Sequence, residues 1–360
     1  MAESRVKLEL PATPVQELIK SAIDHIPERY IFQPTNNKDP CFDTATNESD
    51  LPLFMDSPSI DLQMILDSSS PNSKDELRKL RSVLCSWGCC QVINHGIESS
   101  EMDKLRSIAK EFFGLDVEEE RKHSRTADWF EGYGSDTVAE GEPFNWNDRL
   151  HLQIYPFHRR NLKFWTHNPP TFRETLDEYA AKMKKLVENM LKAIAKSLNV
   201  EENSFFSQFG EEGIMFSRFN YYPPCSSPTR VFGLKPHSDV TLITILLQDK
   251  EVEGLQVLKD NQWFKVPIVP DALFINVGDQ LEIMSNGIVK SVVHKVEIDK
   301  KRERISVAVA TVPSPDKEIG PLTDLIHNQG AQLYKNVTNY MALFLQHIAK
   351  SERAISAVKL

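Results

Sequence analysis

Two textures of apolar spacing divide this chain. In the first half, apolar residues recur at steps of three and four, the period of one helix face. Leu176, Tyr179, Met183, Leu186, Met190 and Ile194 predict a long helix from about Phe172 to Leu198, its methionine-rich stripe turned to the core. Leu77, Leu80, Leu84 and Trp87 predict another, opened by a capping box of Ser73 and Glu76 and stopped at Gly88. A third runs from Met102 to Phe113. Near the N-terminus, Thr13-Pro14-Val15-Gln16 opens a fourth, with a cap, a proline in the first turn and a capping-box glutamine. It carries Val15, Leu18, Ile19, Ala22, Ile23 and Ile26 and ends near Pro27. Short strands are expected at Pro58–Leu62 and Cys89–Ile93, the second followed by the turn Asn94-His95-Gly96. Gln33 to Ser57 is polar and irregular and reads as a surface loop.

From about Ile214 the texture becomes short β-rich runs separated by turns: Thr241 to Leu247, Leu255 to Leu258, Trp263 to Val266, Leu273 to Val277, Ile288 to Ile298 and Ile305 to Thr311. That spacing predicts an antiparallel sandwich or jelly roll. The fold class is therefore mixed α and β, a jelly-roll core with helices packed mostly in the N-terminal half. No repeat or low-complexity tract interrupts it. One composite domain is expected: a mostly helical region over 1–205 that contributes strands to the core, a β core over 206–315, and a helical C-terminal region over 316–360.

A chain of 360 residues with 41% hydrophobic content has the material for a substantial core. Its formal charge of −9, with no concentrated basic tract, argues against nucleic acid or an anionic membrane as partner and favours a small molecule. No run approaches the roughly 20 apolar residues of a membrane span, and the start Met1-Ala2-Glu3-Ser4-Arg5 lacks the apolar core of a signal peptide. A cytoplasmic monomer is expected. Cys41, Cys85, Cys89, Cys90 and Cys225 form neither a disulfide framework nor a paired zinc motif. Cys89 and Cys90 are adjacent on a strand, so their side chains face opposite ways and read as packing. The terminal Val358-Lys359-Leu360 only half matches a peroxisomal signal and carries little weight.

The chemistry lies in Pro236-His237-Ser238-Asp239 and in Ser291-Val292-Val293-His294. On an extended strand residues i and i+2 share a face, so His237 and Asp239 can reach one cation together. His294 lies far enough along for intervening strands to bring it alongside. Two imidazoles and one carboxylate on one face of Fe(II) leave the opposite positions open for a bidentate cosubstrate and O2, as in non-haem oxygenases. Zinc is the second metal these ligands suit. Alone the pattern is loose, because the chain holds ten histidines. His25, His95, His123, His151, His158, His167, His327 and His347 are read as packing or surface residues. Arg304-Ile305-Ser306 again sets two polar side chains at i and i+2, and a guanidinium fork beside a hydroxyl grips a planar carboxylate.

The ordered set of motifs resembles the plant 2-oxoglutarate/Fe(II)-dependent dioxygenases of specialised metabolism, over nearly the whole chain. It includes Gln91-Val92-Ile93-Asn94-His95-Gly96, Glu131-Gly132-Tyr133-Gly134, Asn220-Tyr221-Tyr222-Pro223-Pro224-Cys225, His237-Ser238-Asp239, Asn276-Val277-Gly278-Asp279, His294 and Arg304-x-Ser306. The start, Thr13-Pro14-Val15-Gln16-Glu17-Leu18 to Ile26-Pro27-Glu28-Arg29-Tyr30, is similar to the branch holding codeine and thebaine O-demethylases and senescence-related oxygenases. The resemblance implies a distorted double-stranded β-helix. It also implies that Arg304, Ser306 and Tyr222 hold the distal carboxylate of 2-oxoglutarate, with Asn220 contacting it near the metal. Fe(II), 2-oxoglutarate and O2 would then oxidise a hydrophobic, ring-bearing plant metabolite by hydroxylation or O-demethylation, releasing succinate and CO2, with ascorbate as reductant.

The chain departs from its relatives at Ala310, where they often carry a phenylalanine that stacks on the substrate, which implies a roomier pocket. Glu140-Gly141-Glu142-Pro143-Phe144-Asn145-Trp146 departs as well. Phe130, Tyr133, Phe144, Val240, Leu242 and Ala310 are the expected substrate contacts, placed by their nearness to the matched motifs. Two other readings compete: a same-fold oxidase that does not use 2-oxoglutarate, and a non-catalytic jelly-roll binding protein with a structural metal. An intact open triad argues against the last, because structural zinc is normally closed by a fourth ligand.

Overall fold

The computed structural model describes residues 8–11, 13–21, 25–32, 53–56, 58–67, 69–126, 130–348 and 352–360. Most of the expected loop from Gln33 to Ser57, and Cys41 within it, lie outside them. The core is an eight-stranded sheet facing a four-stranded one. The large sheet runs in the order Ile60–Asp61, Cys89–Ile93, Leu273–Val277, Ile243–Leu247, Arg304–Val312, Ile214–Tyr222, Asp148–Tyr155 and Gly132–Gly134. The small sheet runs Gln262–Lys265, Leu255–Lys259, His294–Val296, Leu234–His237. All its pairings are antiparallel, as are those of the large sheet except Ile60–Asp61 with Cys89–Ile93.

Central strands read as unbroken apolar runs because both of their faces are covered. In Leu273–Val277, Leu273, Ile275 and Val277 join the core beneath the helices, whereas Phe274 joins the one between the sheets. Cys90 and Cys89 divide in the same way. Ile305, Val307 and Val309 face the helices, which turns Arg304, Ser306, Ala308 and Ala310 toward the space between the sheets. Helices Ser73–Ser86, Ser99–Phe113 and Phe172–Ser197 cover the outer face; the last buries Leu176, Tyr179, Met183, Leu186, Met190 and Ile194 there.

Local signals were overruled wherever a distant partner satisfied the backbone. Ser73 and Glu76 form no capping box: Asn72 precedes the helix, and Glu76 accepts from the backbone N–H of Asp61 at 2.6 Å. Ala22 and Ile23 lie outside the described residues; among those, the N-terminal helix is Val15–Lys20, without a side-chain cap from its own neighbourhood. Its free N–H groups at Val15 and Gln16 donate to the carboxylate of Asp148 at 3.1 and 2.8 Å instead. The Gln16 side chain donates to the Phe113 carbonyl and to Glu120. Ile288 to Ile298, expected as one strand, shrinks to His294–Val296 with a register irregularity inside it. Gly88 does stop its helix, at φ +70°, and a Cβ there would meet the Lys290 carbonyl oxygen at 2.2 Å. Among the described residues no helix is long and apolar enough to cross a membrane.

Candidate active site

The inward faces of the two sheets enclose a cavity of about 920 Å³. His237 ends one strand, and His294 begins the next and pairs directly with it, while Asp239 sits just beyond the strand end. One ligand atom from each residue lies within 4.8 Å of the other two. Asp239 Oδ1 is 3.7 Å from Nε2 of each histidine.

The outer ring nitrogens fix the tautomers. Nδ1 of His237 lies 2.7 Å from the Lys235 carbonyl oxygen and Nδ1 of His294 lies 3.3 Å from that of Val292. A carbonyl oxygen only accepts, so each Nδ1 carries the proton and each Nε2 turns a lone pair to the centre. Burial, reinforced by His294, pushes the His237 imidazole down to about 4, which keeps it a neutral ligand. For Asp239 burial works upward, but the two imidazoles and the nearby Thr244 and Asn276 outweigh it and hold the carboxyl below its ordinary range. Asp279 N–H donates to the Asp239 carbonyl at 2.8 Å and steadies the turn. Asp239 Oδ2 is buried without a hydrogen-bond partner among the described residues. An unpaired buried carboxylate oxygen beside two imidazole lone pairs fits a divalent cation, and this open donor set suits Fe(II).

Arg304 lies beside this centre, across the strand pair from Tyr222, and Ser306 lies across from Asn220. Arg304 is 2% exposed, and its Nε donates to the Val252 carbonyl at 3.2 Å. Both terminal nitrogens lack partners among the described residues. Gly254 makes room: a Cβ there would stand 3.0 Å from Arg304 Cδ. Asn220 Nδ2 is 3.4 Å from Ser306 Oγ. A buried fork of unused donors flanked by a hydroxyl and a phenol matches one end of a dicarboxylate.

Of the expected substrate contacts, Phe130, Val240 and Ala310 line the cavity, whereas Tyr133, Phe144 and Leu242 do not. Tyr133 pairs with core residue Leu150 and packs on Phe112. Leu242 is fully buried in the same core. Phe144 packs outside the cavity, against Tyr30 with Arg29 over its ring. Residues assigned no role do line it: Arg125, Asp136, Arg149, His151 and Arg218, with Met341, Phe344 and His347 from the C-terminal helix. Arg218 was within reach of the sequence, since it stands two positions before Asn220 on the same strand face.

Fold and site together define a non-haem iron oxygenase with a place for a dicarboxylate cosubstrate. The chain belongs to the 2OG-Fe(II) oxygenase superfamily, whose model matches residues 213–313; a model described as the N-terminal part of the non-haem dioxygenase in morphine synthesis matches residues 57–170. It is 37% identical to codeine O-demethylase of Papaver somniferum, over 91% of this chain and 89% of that protein. Identity to oxoglutarate-dependent flavonoid 7-O-demethylase 1 of Ocimum basilicum is 38%, over 94% and 88%. The crystal structure of JOX2 in complex with 2OG, Fe and JA superposes with a TM-score of 0.85 at 33% identity, covering 97% of this chain and 98% of that one. The protein is a 2-oxoglutarate-dependent dioxygenase that uses Fe(II), 2-oxoglutarate and O2.

Proposed function

We propose that His237, Asp239 and His294 hold the iron, that Arg304, Ser306, Tyr222 and Asn220 hold 2-oxoglutarate, and that the substrate is a hydrophobic, ring-bearing small molecule oxidised by hydroxylation or O-demethylation. The observation that carries this reading is the pair of unpartnered, buried terminal nitrogens of Arg304 beside the triad. When bound, Fe(II) with 2-oxoglutarate and O2 supplies an oxidation that splits the cosubstrate to succinate and CO2 and places one oxygen atom on a substrate C–H carbon. On an O-methyl group that product is a hemiacetal, which loses formaldehyde.

The chain's own residues supply placement. Arg304 and Ser306 fix one end of the cosubstrate, so that its other end meets the open side of the triad. Lys235 and Val292 carbonyls keep the two imidazoles aimed. Phe130, Val240 and Ala310, with Met341 and Phe344, give the cavity an apolar side that fits ring systems and keeps water from the reacting carbon. Two relatives are named for O-demethylation of codeine and of flavonoids, which supports a ring-bearing substrate. The test is succinate formation by the Fe(II)- and ascorbate-supplied enzyme across a library of ring-bearing plant metabolites. Substrate-stimulated succinate with an equimolar hydroxylated or demethylated product is expected. Succinate formation that no apolar ring compound stimulates would overturn the substrate assignment.

A further inference from the structure

Among the described residues, one wall of the cavity sets three guanidiniums against a single carboxylate. Arg218 donates through both terminal nitrogens to Asp136, at 2.8 and 2.7 Å, and through Nε to Asn220 Oδ1 at 2.6 Å. Arg149 Nε reaches the same carboxylate at 3.2 Å, and its Nη1 donates to the carbonyls of Phe130 and Gly132. Asn145 adds a further donor to Asp136 at 3.2 Å. The hydrogen-bond positions of Asp136 are thus taken by these donors, and among the described residues Arg125 donates to the Ser135 carbonyl at 3.2 Å while its Nε is buried without a partner.

Among the described residues three other carboxylates line the cavity. Glu142 lies 3.5 Å from Lys235, Asp239 belongs to the triad, and Glu352 stands exposed at the rim. Arg353 is matched by Asp279 at 3.7 Å. Loading the enzyme does not supply the missing charge, because Fe(II), Asp239, doubly negative 2-oxoglutarate and Arg304 sum to neutrality. Burial pushes Arg149 down to about 9, with Asp136 opposing the shift and Arg218 and Arg125 adding to it.

We infer that Arg125 and Arg218 form an anion subsite, so that the substrate carries a carboxylate or equivalent oxyanion on this wall while its ring system lies along Phe130, Val240 and Ala310. This rests on reading the cavity as the substrate site. Guanidinium forks favour planar oxyanions, and a partly desolvated positive wall repels protonated amines. The inference selects acids from among ring-bearing metabolites and excludes basic alkaloids.

The test uses full-length protein with Zn(II) and 2-oxoglutarate, which binds without turning over. Calorimetry then compares matched triads: 1-naphthylacetic acid, its methyl ester and 1-naphthylmethylamine, and 3-phenylpropanoic acid, its methyl ester and 3-phenylpropylamine. In at least one triad the acid is expected to bind about tenfold more tightly than its ester and more tightly still than the amine. Arg125→Gln should remove about that factor for the acid alone, and Arg125→Lys should restore part of it. The inference is overturned if no acid outbinds its ester, or if folded Arg125→Gln keeps the acid-to-ester ratio and weakens 2-oxoglutarate instead. Succinate release by the Fe(II) enzyme, measured separately, reports on the oxygenase reading alone, so the two can fail independently.

Discussion

Arg304 stands directly opposite Tyr222 on adjacent antiparallel strands, its guanidinium carbon 5.3 Å from the centre of the phenol ring. The register that creates this pair also sets Ser306 across from Asn220, so one strand pairing delivers four polar groups to one end of the cavity. Burial without a full set of partners is expensive for a guanidinium, and the surrounding sheet holds it there in advance of its ligand. The site is preorganised by strand register rather than by loop closure.

Removing the fork should weaken the cosubstrate specifically. Arg304→Gln is expected to raise the dissociation constant for 2-oxoglutarate about tenfold or more, the worth of a charge-assisted hydrogen bond. Arg304→Lys keeps the charge but loses the fork, and should recover only part of the affinity. Titration calorimetry of the metal-loaded protein decides it; unchanged affinity in Arg304→Gln would remove Arg304 from the cosubstrate site.

Ala310 pairs with Phe216 on one side and Thr244 on the other, and its methyl faces the cavity. Ala310→Phe should fill space that a ring system occupies. For bulky substrates kcat/KM is expected to fall about tenfold or more, chiefly through KM, while small substrates are spared. An equal effect on small and bulky substrates would show that Ala310 does not set pocket size.

Glu120 gives stability a pH dependence. It is buried beneath the N-terminal helix, where Gln16 Nε2 meets its Oε1 at 3.1 Å, and burial pushes its carboxyl up to about 7. A folded-state value above the unfolded one, about 4.3, means its contribution is fully present below that value and is lost as pH rises through about 7. Chemical denaturation should show the protein losing up to about 3 kcal/mol between pH 4 and 8 from this group. Glu120→Gln should flatten that slope; an unchanged slope would assign it elsewhere.

The residues proposed to hold iron and cosubstrate were picked out because they sit two positions apart in strand-like sequence, as His237 with Asp239 and Arg304 with Ser306 do. Nearness to a matched motif did not place Leu242: the chain leaves its strand at His237 and re-enters the sheet only at Ile243, and Leu242 is buried in the core beneath the helices. Tyr133 could not be placed without its partner: it lies opposite Leu150 on the core side, whereas Arg149 and His151 lie opposite flanking glycines on the cavity side. On that cavity side Arg149 meets Asp136 and His151 packs on Phe216, partners that lie far along the chain. The Ser73 and Glu76 box failed for a related reason, since Asp61 arrives from another element and takes the glutamate.

The most direct test of the site is the visible charge-transfer absorption that forms when 2-oxoglutarate chelates protein-bound Fe(II) without oxygen. The wild-type protein should develop this band on titration with 2-oxoglutarate, Asp239→Ala should lack it, and Arg304→Gln should reach it only at higher 2-oxoglutarate. A wild-type protein without the band, or an Asp239→Ala protein that keeps it at full strength, would contradict the assignment of iron and cosubstrate to these residues.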